Sequence, residues 1–215
     1  MSADATPLRG LDSAVDLTPH VDCLSGEGFS FAIRYYNIHN RSKNLTLDEA
    51  QALVGAGFQL GVVFEDGRPT HPSFFSRAKG VVHGTAAYHM AMDDIGQPDD
   101  TPIYFAVDYD AAPGDVAGVI KEYFQGIQDG FQTVGQGSPK YQVGVYGSGL
   151  TCTELLAGGL ATFTWLSQST GFSGSRAFAQ NKHYNLIQFL PQHVCSIDSD
   201  PDQTNPDKPS GLFII

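Results

Sequence analysis

Apolar residues along this chain follow two rhythms. Short continuous runs, bounded by polar turns, read as strands buried on both faces, and stretches with apolar residues three and four apart read as helices. Phe29-Ser-Phe-Ala-Ile-Arg-Tyr-Tyr36, rich in aromatic and β-branched residues, predicts a strand. Leu60–Phe64, Ile103–Val107 and Gln142–Tyr146 predict three more, and a shorter one falls around Pro7–Asp12. Between them lie helical patterns. Thr46 and Glu49 form a capping box, with Glu49 reaching back, ahead of Ala50, Leu53, Val54 and Phe58; Gly55 and Gly57 close that helix. Residues 73–96 predict one long helix, capped by Ser73 and stopped by Gly96, with Ala86, Ala87, Met90 and Ala91 on a small-residue face. Residues 113–134 predict another, with Pro113 suited to its first turn, and Thr151–Ala157 a short one. Thereafter Thr164–Gln168, Asn185–Phe189 and Val194–Ile197 are strand-like, with loops between them.

Strands alternating with helices predict a parallel sheet. The fold class expected is α/β: an irregular TIM-type barrel of about five βα units followed by three strands with little helix. A single domain spans 1–215, with the barrel over 7–200 and a C-terminal tail over 201–215. The length of 215 residues, 41% of them hydrophobic, suits one large core.

Charge narrows the partners. A net charge of −11 repels phosphate backbones and anionic headgroups, so neither nucleic acid nor a membrane surface is an expected partner, and the chain is expected to be a monomer. The apolar runs are far shorter than a membrane span, and MSADATPLRG at the start lacks the basic-then-apolar pattern of a leader. Localisation stays open between a removed leader and another export route. The three cysteines, Cys23, Cys152 and Cys195, show no metal-ligand spacing and read first as buried thiols; one disulfide is compatible only with an oxidising compartment.

The candidate chemistry lies where acids meet strand ends. In a parallel barrel, catalytic groups gather at the carboxyl ends of the strands. Asp12, Glu65, Asp108 and Asp110 each end a predicted strand or follow it, and Asp198 and Asp200 end the last one. Carboxylates converging on one mouth raise one another's pKa, which leaves a protonated acid beside an ionised one. Asp108 and Asp110, two apart on extended chain, are expected to face the mouth together. Glycoside hydrolysis needs such a pair, one acid protonating the leaving oxygen while the other attacks or stabilises. The competing reading is an acidic turn in which Asp110 caps the helix near Pro113.

In order and spacing, several segments resemble a glycoside-hydrolase-like TIM-barrel family long known only as a domain of unknown function. They are Gly10-Leu-Asp12, Ile33-Arg-Tyr-Tyr36, Lys43-Asn-Leu-Thr-Leu-Asp-Glu49, Val62-Val-Phe-Glu65, Gly84-Thr-Ala-Ala87, Ile103-Tyr-Phe-Ala-Val-Asp-Tyr-Asp110, Val143-Gly-Val-Tyr-Gly147, Trp165-Leu-Ser-Gln168 and Ile187-Gln-Phe189. The family is in turn similar to the family-twenty-five lysozymes, which cleave peptidoglycan and share the irregular barrel. The resemblance implies that Asp12 is the first-strand aspartate and that Asp108 and Asp110 stand at the lysozymes' Asp-x-Glu. Asp198 or Asp200 stands near their last-strand aspartate. The lysozymes' proton donor is the Glu of that pair, and Asp110 is shorter by one methylene, so Glu65 competes with it as donor, with Asp108 as nucleophile or stabiliser.

Arg34, beside Tyr35 and Tyr36, is expected either to pair with Asp12 or Glu65 or to neutralise a buried acid. Arg34, Tyr36, Tyr146, Trp165 and Gln188, with Asp198 and Asp200, are the expected substrate contacts, against a core role for the aromatics. No cofactor is implied. Asp198-x-Asp200-x-Asp202 lacks the glycine and final acid of an EF-hand, His83 and His89 are expected on a helix surface, and Tyr146-Gly-Ser148-Gly is no nucleophile elbow. Asn40 and Asn44 begin glycosylation sequons that matter only after secretion. Three functions follow in order: a glycosidase acting on peptidoglycan or a related polysaccharide, an inactive barrel that binds a glycan, and a metal-dependent phosphoesterase.

Overall fold

A computed structural model describes residues 6–215; Met1 to Ala5, the start of the segment read for a leader, lie outside them. Strands β1 (Arg9–Asp12), β2 (Phe31–Tyr36), β3 (Gln59–Phe64), β4 (Pro102–Ala106), β5 (Gln142–Gly147), β6 (Phe163–Leu166) and β7 (Leu186–Gln188) pair parallel, each with the next. The barrel closes through β9 (Ile197–Thr204), which runs antiparallel between β7 and β1. β8 (Gln192–Val194) stands outside the closure as the hairpin partner of β9.

The expected barrel is present, with its last third built differently. Val194–Ile197 is not a strand: Cys195 and Ser196, both at positive φ (52° and 65°), form the two-residue turn between β8 and β9, the sign pattern of a type I′ hairpin. Asp198 and Asp200 therefore enter the closing strand from the mouth rather than ending it. The expected boundary at residue 200 also moves. Residues 201–204 belong to β9, and Phe213 exchanges both backbone hydrogen bonds with Leu60 (2.8 and 2.9 Å) at the start of β3, sealing the opposite end.

Helices α1 (Val21–Gly26), α2 (Leu47–Gly55), α3 (Arg77–His89), α4 (Pro113–Asp115), α5 (Lys121–Val134), α6 (Gly149–Ala157) and α7 (Ser175–Gln180) surround the sheet. The helix expected over 73–96 begins instead at α3, where Ser76 rather than Ser73 accepts from the N–H of Lys79, and it widens into a π-type turn over Met90–Ile95. Its close contact is made by glycines, not by the predicted alanine face. Cβ atoms at Gly80 and Gly84 would come within 2.0 and 2.6 Å of α5 carbonyl oxygens, and one at Gly126 within 2.1 Å of the Arg77 carbonyl, so α3 and α5 touch backbone to backbone.

Two packed layers result. Leu11, Ala32, Leu53, Leu60, Phe105, Phe124 and Ile127 fill the space between sheet and helices. Phe31, Ile33, Val63, Tyr104, Tyr146, Trp165 and Leu186 fill the barrel itself. Alternation along each strand decides which layer a residue joins. His83, expected on a surface, is buried with Nδ1 2.8 Å from the Tyr123 hydroxyl, and burial pushes its pKa down to about 4. Cys23 and Cys195 form a disulfide rather than two thiols, tying α1 to the β8–β9 turn, while Cys152 is buried and free.

Candidate active site

The inward-facing residues at the carboxyl ends of the parallel strands enclose a polar cavity of about 240 Å³. β2 supplies Tyr35 and β5 Tyr146, while Glu65 and Asp108 follow β3 and β4; Trp165 lies at the floor, and Gln188 and Asp200 come from β7 and β9. Wider grooves of about 360 and 600 Å³ run over the helical shell, but their Asp129 and Asp93 are paired with Arg77 and His89.

Asp12 sits beneath this cavity, 2% exposed, because β1 ends inside the barrel. Its Oδ1 accepts from the Tyr35 hydroxyl at 3.0 Å and its Oδ2 from Gln188 Nε2 at 2.7 Å. Gln188 is oriented by its other end, where Oε1 accepts from the Tyr146 hydroxyl at 2.8 Å; its Nε2 also reaches Asp200 Oδ2 at 3.4 Å. The amide thus bridges two carboxylates that would otherwise face each other bare. Burial, reinforced by the charge of Asp200, pushes the Asp12 pKa up to about 7 despite these donors.

Glu65 and Asp108 make no side-chain hydrogen bond among the described residues, which leaves their oxygens free for a ligand. Burial raises the Glu65 pKa, with nearby Lys43 opposing and Asp108 adding to the rise. Burial raises that of Asp108, and burial with the Asp108 charge raises that of Asp200. Several acids with elevated pKa values around one cavity can hold a proton for donation near neutrality while a neighbour is ionised.

Not every expected residue joins them. Asp110 faces away from the cavity: its Oδ1 accepts from the backbone N–H of Ser173 at 2.7 Å, on the loop after β6. Arg34 and Tyr36 lie on the opposite face of β2 from Tyr35, one residue out of phase with the mouth. Arg34 Nε donates to Glu49 Oε1 at 2.6 Å and Nη2 to Oε2 at 3.2 Å, and Nη1 to the Ser13 carbonyl, so it pairs with neither Asp12 nor Glu65. Glu49 consequently does not reach back to its own helix cap; it also accepts from the N–H of Leu17. The Tyr36 hydroxyl donates to Gln97 Oε1 within the helical layer. Asp198 is exposed on the hairpin and contacts His193.

Asp202 stands in the sequence only as the third acid of an incomplete calcium-loop pattern, with nothing to mark it as a site residue. It is 1% exposed below the cavity floor, and its Oδ1 accepts from Trp165 Nε1 at 2.7 Å. Among the described residues no group of three or more His, Cys, Asp or Glu side chains is arranged to hold a metal ion.

The comparisons agree with this geometry at the level of fold. The uncharacterized protein YbfG of Bacillus subtilis (strain 168) is 34% identical over 144 residues, which are 66% of this chain but only 19% of YbfG. The Tat-secreted protein Rv2525c of Mycobacterium tuberculosis superposes with a TM-score of 0.73 at 21% identity, covering 95% of this chain and 98% of that one. The modular autolysin LytC of Streptococcus pneumoniae, solved with a synthetic peptidoglycan ligand, does so with a TM-score of 0.60 at 12% identity, over 93% of this chain and 47% of LytC. Residues 22–210 match the family model described as the Rv2525c-like, glycoside hydrolase-like domain, and the chain belongs to that family.

Proposed function

We propose that the chain is a glycoside hydrolase acting on peptidoglycan or a related cell-wall polysaccharide, with Glu65 as proton donor and Asp108 as nucleophile or charge stabiliser. The observation that carries this reading is the pair of unpartnered carboxyls, Glu65 and Asp108, coupled across a polar cavity at the barrel mouth. Glu65 is the more enclosed of the two, and the Asp108 charge favours its protonated form, which assigns it the donor's part. Asp108 stands at the open lip, where an ionised carboxylate is better solvated. Once ionised, above its pKa of about 7, Asp12 with its Tyr35 and Gln188 donors holds negative charge below the sugar ring and opposes the positive charge of an oxocarbenium-like transition state. Tyr146 and Gln168 supply polar contacts for hydroxyls.

Two comparisons support the substrate class and setting: the likeness to an autolysin bound to a peptidoglycan ligand, and that to a Tat-secreted protein. The Cys23–Cys195 disulfide fits export to an oxidising compartment. A second reading, a barrel that binds glycan without turnover, is favoured by one observation, the turning away of Asp110 from the cavity. Reducing ends released from purified peptidoglycan and a polysaccharide panel separate the two. Release by the wild type, lost in an Asp108→Asn, Glu65→Gln double variant, supports hydrolysis. Calorimetric binding with no release above that variant selects the binding barrel.

A further inference from the structure

Two buried carboxyls, Asp12 and Asp202, are neighbours under the cavity, and among the described residues no lysine, arginine or histidine pairs with either. Gly10 of β1 pairs with Asp202 of β9, and Asp12 with Asp200, so Asp12 and Asp202 are diagonal neighbours on the lumen side of an antiparallel pair. Gly10 contributes no side chain there, and a Cβ would strike the Phe31 ring at 2.4 Å. The two carboxyls are within hydrogen-bonding reach of each other. Their partners, however, are unequal. Asp12 receives donors on both oxygens, from Tyr35 and Gln188. Asp202 receives one, from Trp165 Nε1 on Oδ1, and its Oδ2 is buried without any donor among the described residues.

An ionised carboxylate with a bare buried oxygen, set beside a second carboxylate, is strongly disfavoured. A protonated carboxyl in the same place has no orphan, because its O–H donates to the neighbour. Besides the Trp165 N–H, the titratable groups facing Asp202 are Asp12 from β1, Tyr104 from β4, Tyr146 from β5 and Asp200 on its own strand, and Tyr35 from β2 faces Asp12. All are acids or phenols, and none compensates a negative charge.

We propose that Asp202 is held as a neutral acid whose Oδ2–H donates to Asp12, a positioning residue that keeps Asp12 the ionised member of the pair. Asp12 then collects three donors, from Tyr35, Gln188 and Asp202, and the shared proton never leaves the floor of the barrel. The state of the pair stands independently of turnover; its consequence for activity, an anionic Asp12 below the sugar, rests on the glycosidase reading.

The test exploits an isostere. In Asp202→Asn the amide oxygen accepts from Trp165 and the amide N–H donates to Asp12, reproducing a protonated acid but not an ionised one. The probe is the titration of aspartate carboxyl carbons by NMR, with Asp12 identified through Asp12→Asn. A wild-type carboxyl that stays protonated well above the ordinary aspartate range, absent from Asp202→Asn, is expected, with the Asp12 midpoint in that variant unchanged within about half a pH unit. Asp202→Val, which removes the donor, is expected to raise that midpoint by about one unit and to shift the acidic limb of any kcat/KM profile the same way. A fall of about one unit or more in Asp202→Asn, the signature of a removed negative charge, overturns the proposal, as does the lack of a persistently protonated carboxyl. If Asp202→Val does not fold, Asp202→Asn decides alone. A wild type with no turnover at all leaves the carboxyl signals to decide this inference while sinking the glycosidase reading.

Discussion

Asp110 Oδ1 accepts the backbone N–H of Ser173 at 2.7 Å and so ties the loop after β4 to the loop after β6. That contact gives Asp110 a mechanical part at the rim, while Glu65 and Asp108 keep free carboxyls in the cavity. The two acids should therefore respond differently to neutralisation. Glu65→Gln is expected to reduce glycan cleavage by about 10²–10⁴-fold, the range of a lost general acid or base. Asp110→Asn, whose side-chain carbonyl still accepts from Ser173, should retain activity within about tenfold. Rates of reducing-end release under identical conditions compare them, and equal losses would remove Glu65 from the donor's part.

The buried Arg34–Glu49 fork joins β2 to α2 and holds the loop after β1 through Ser13 and Leu17. Breaking one side strands a charge in a site that is about 1% exposed on both partners. Glu49→Ala is expected to cost about 3–5 kcal/mol in denaturant unfolding, and an apolar Arg34→Met, Glu49→Leu replacement less, because no charge is left behind. A double variant as damaged as the single one would mean that the backbone contacts to Ser13 and Leu17 matter more than the charges.

Much of the site was legible because strand ends are. Runs such as Ile103–Val107 announce a buried strand, and the acid that follows emerges at its end: Glu65 and Asp108 line the cavity, and Asp12 is buried beneath it. Parity was not legible. β2 is apolar on both faces, as a strand between a lumen and a helical layer must be, so nothing in Arg34-Tyr35-Tyr36 says which residue turns inward. The structure turns Tyr35 inward and buries Arg34 and Tyr36 behind it. The last strand escaped for a different reason. Its polar sequence, Ile-Asp-Ser-Asp-Pro-Asp-Gln-Thr, has no apolar run, because its lumen-side residues are acids whose burial is relieved by Trp165, Gln188 and a neighbouring carboxyl. Those partners lie far away in sequence. The Cys23–Cys195 pair, 172 residues apart, was unreadable for the same reason.

That disulfide is expected to matter for the rim. It closes a loop of 172 residues and fixes the turn from which Asp198 and Asp200 descend. Chain-entropy arguments give about 5 kcal/mol for so long a loop, with about 2–4 kcal/mol typical of measured bridges. Cys23→Ser, Cys195→Ser should accordingly unfold at lower denaturant, and hydrogen exchange in the β8–β9 hairpin should quicken first. Cys152, on the buried face of α6, should resist alkylation until global unfolding in both proteins. An unchanged midpoint would show that the hairpin is held by β9 pairing alone.

The elevated pKa of Asp12 makes stability depend on pH with a definite sign. An ordinary aspartate in the unfolded chain gives up its proton near 3.8, while the folded protein holds it at Asp12 until about 7. Between these values the native state binds more protons than the unfolded one, so this group's contribution falls as pH rises through that window and levels off above about 7. A displacement of this size corresponds to about 4 kcal/mol at full extent. Wild type should lose stability between about pH 5 and pH 8, and Asp12→Asn, which cannot ionise, should lose several kcal/mol less over the same span. Urea midpoints at the two pH values measure the difference. Parallel slopes for the two proteins would mean that the Tyr35 and Gln188 donors already stabilise the anion enough to return Asp12 to ordinary behaviour, and the charge under the cavity would then be permanent rather than titrating.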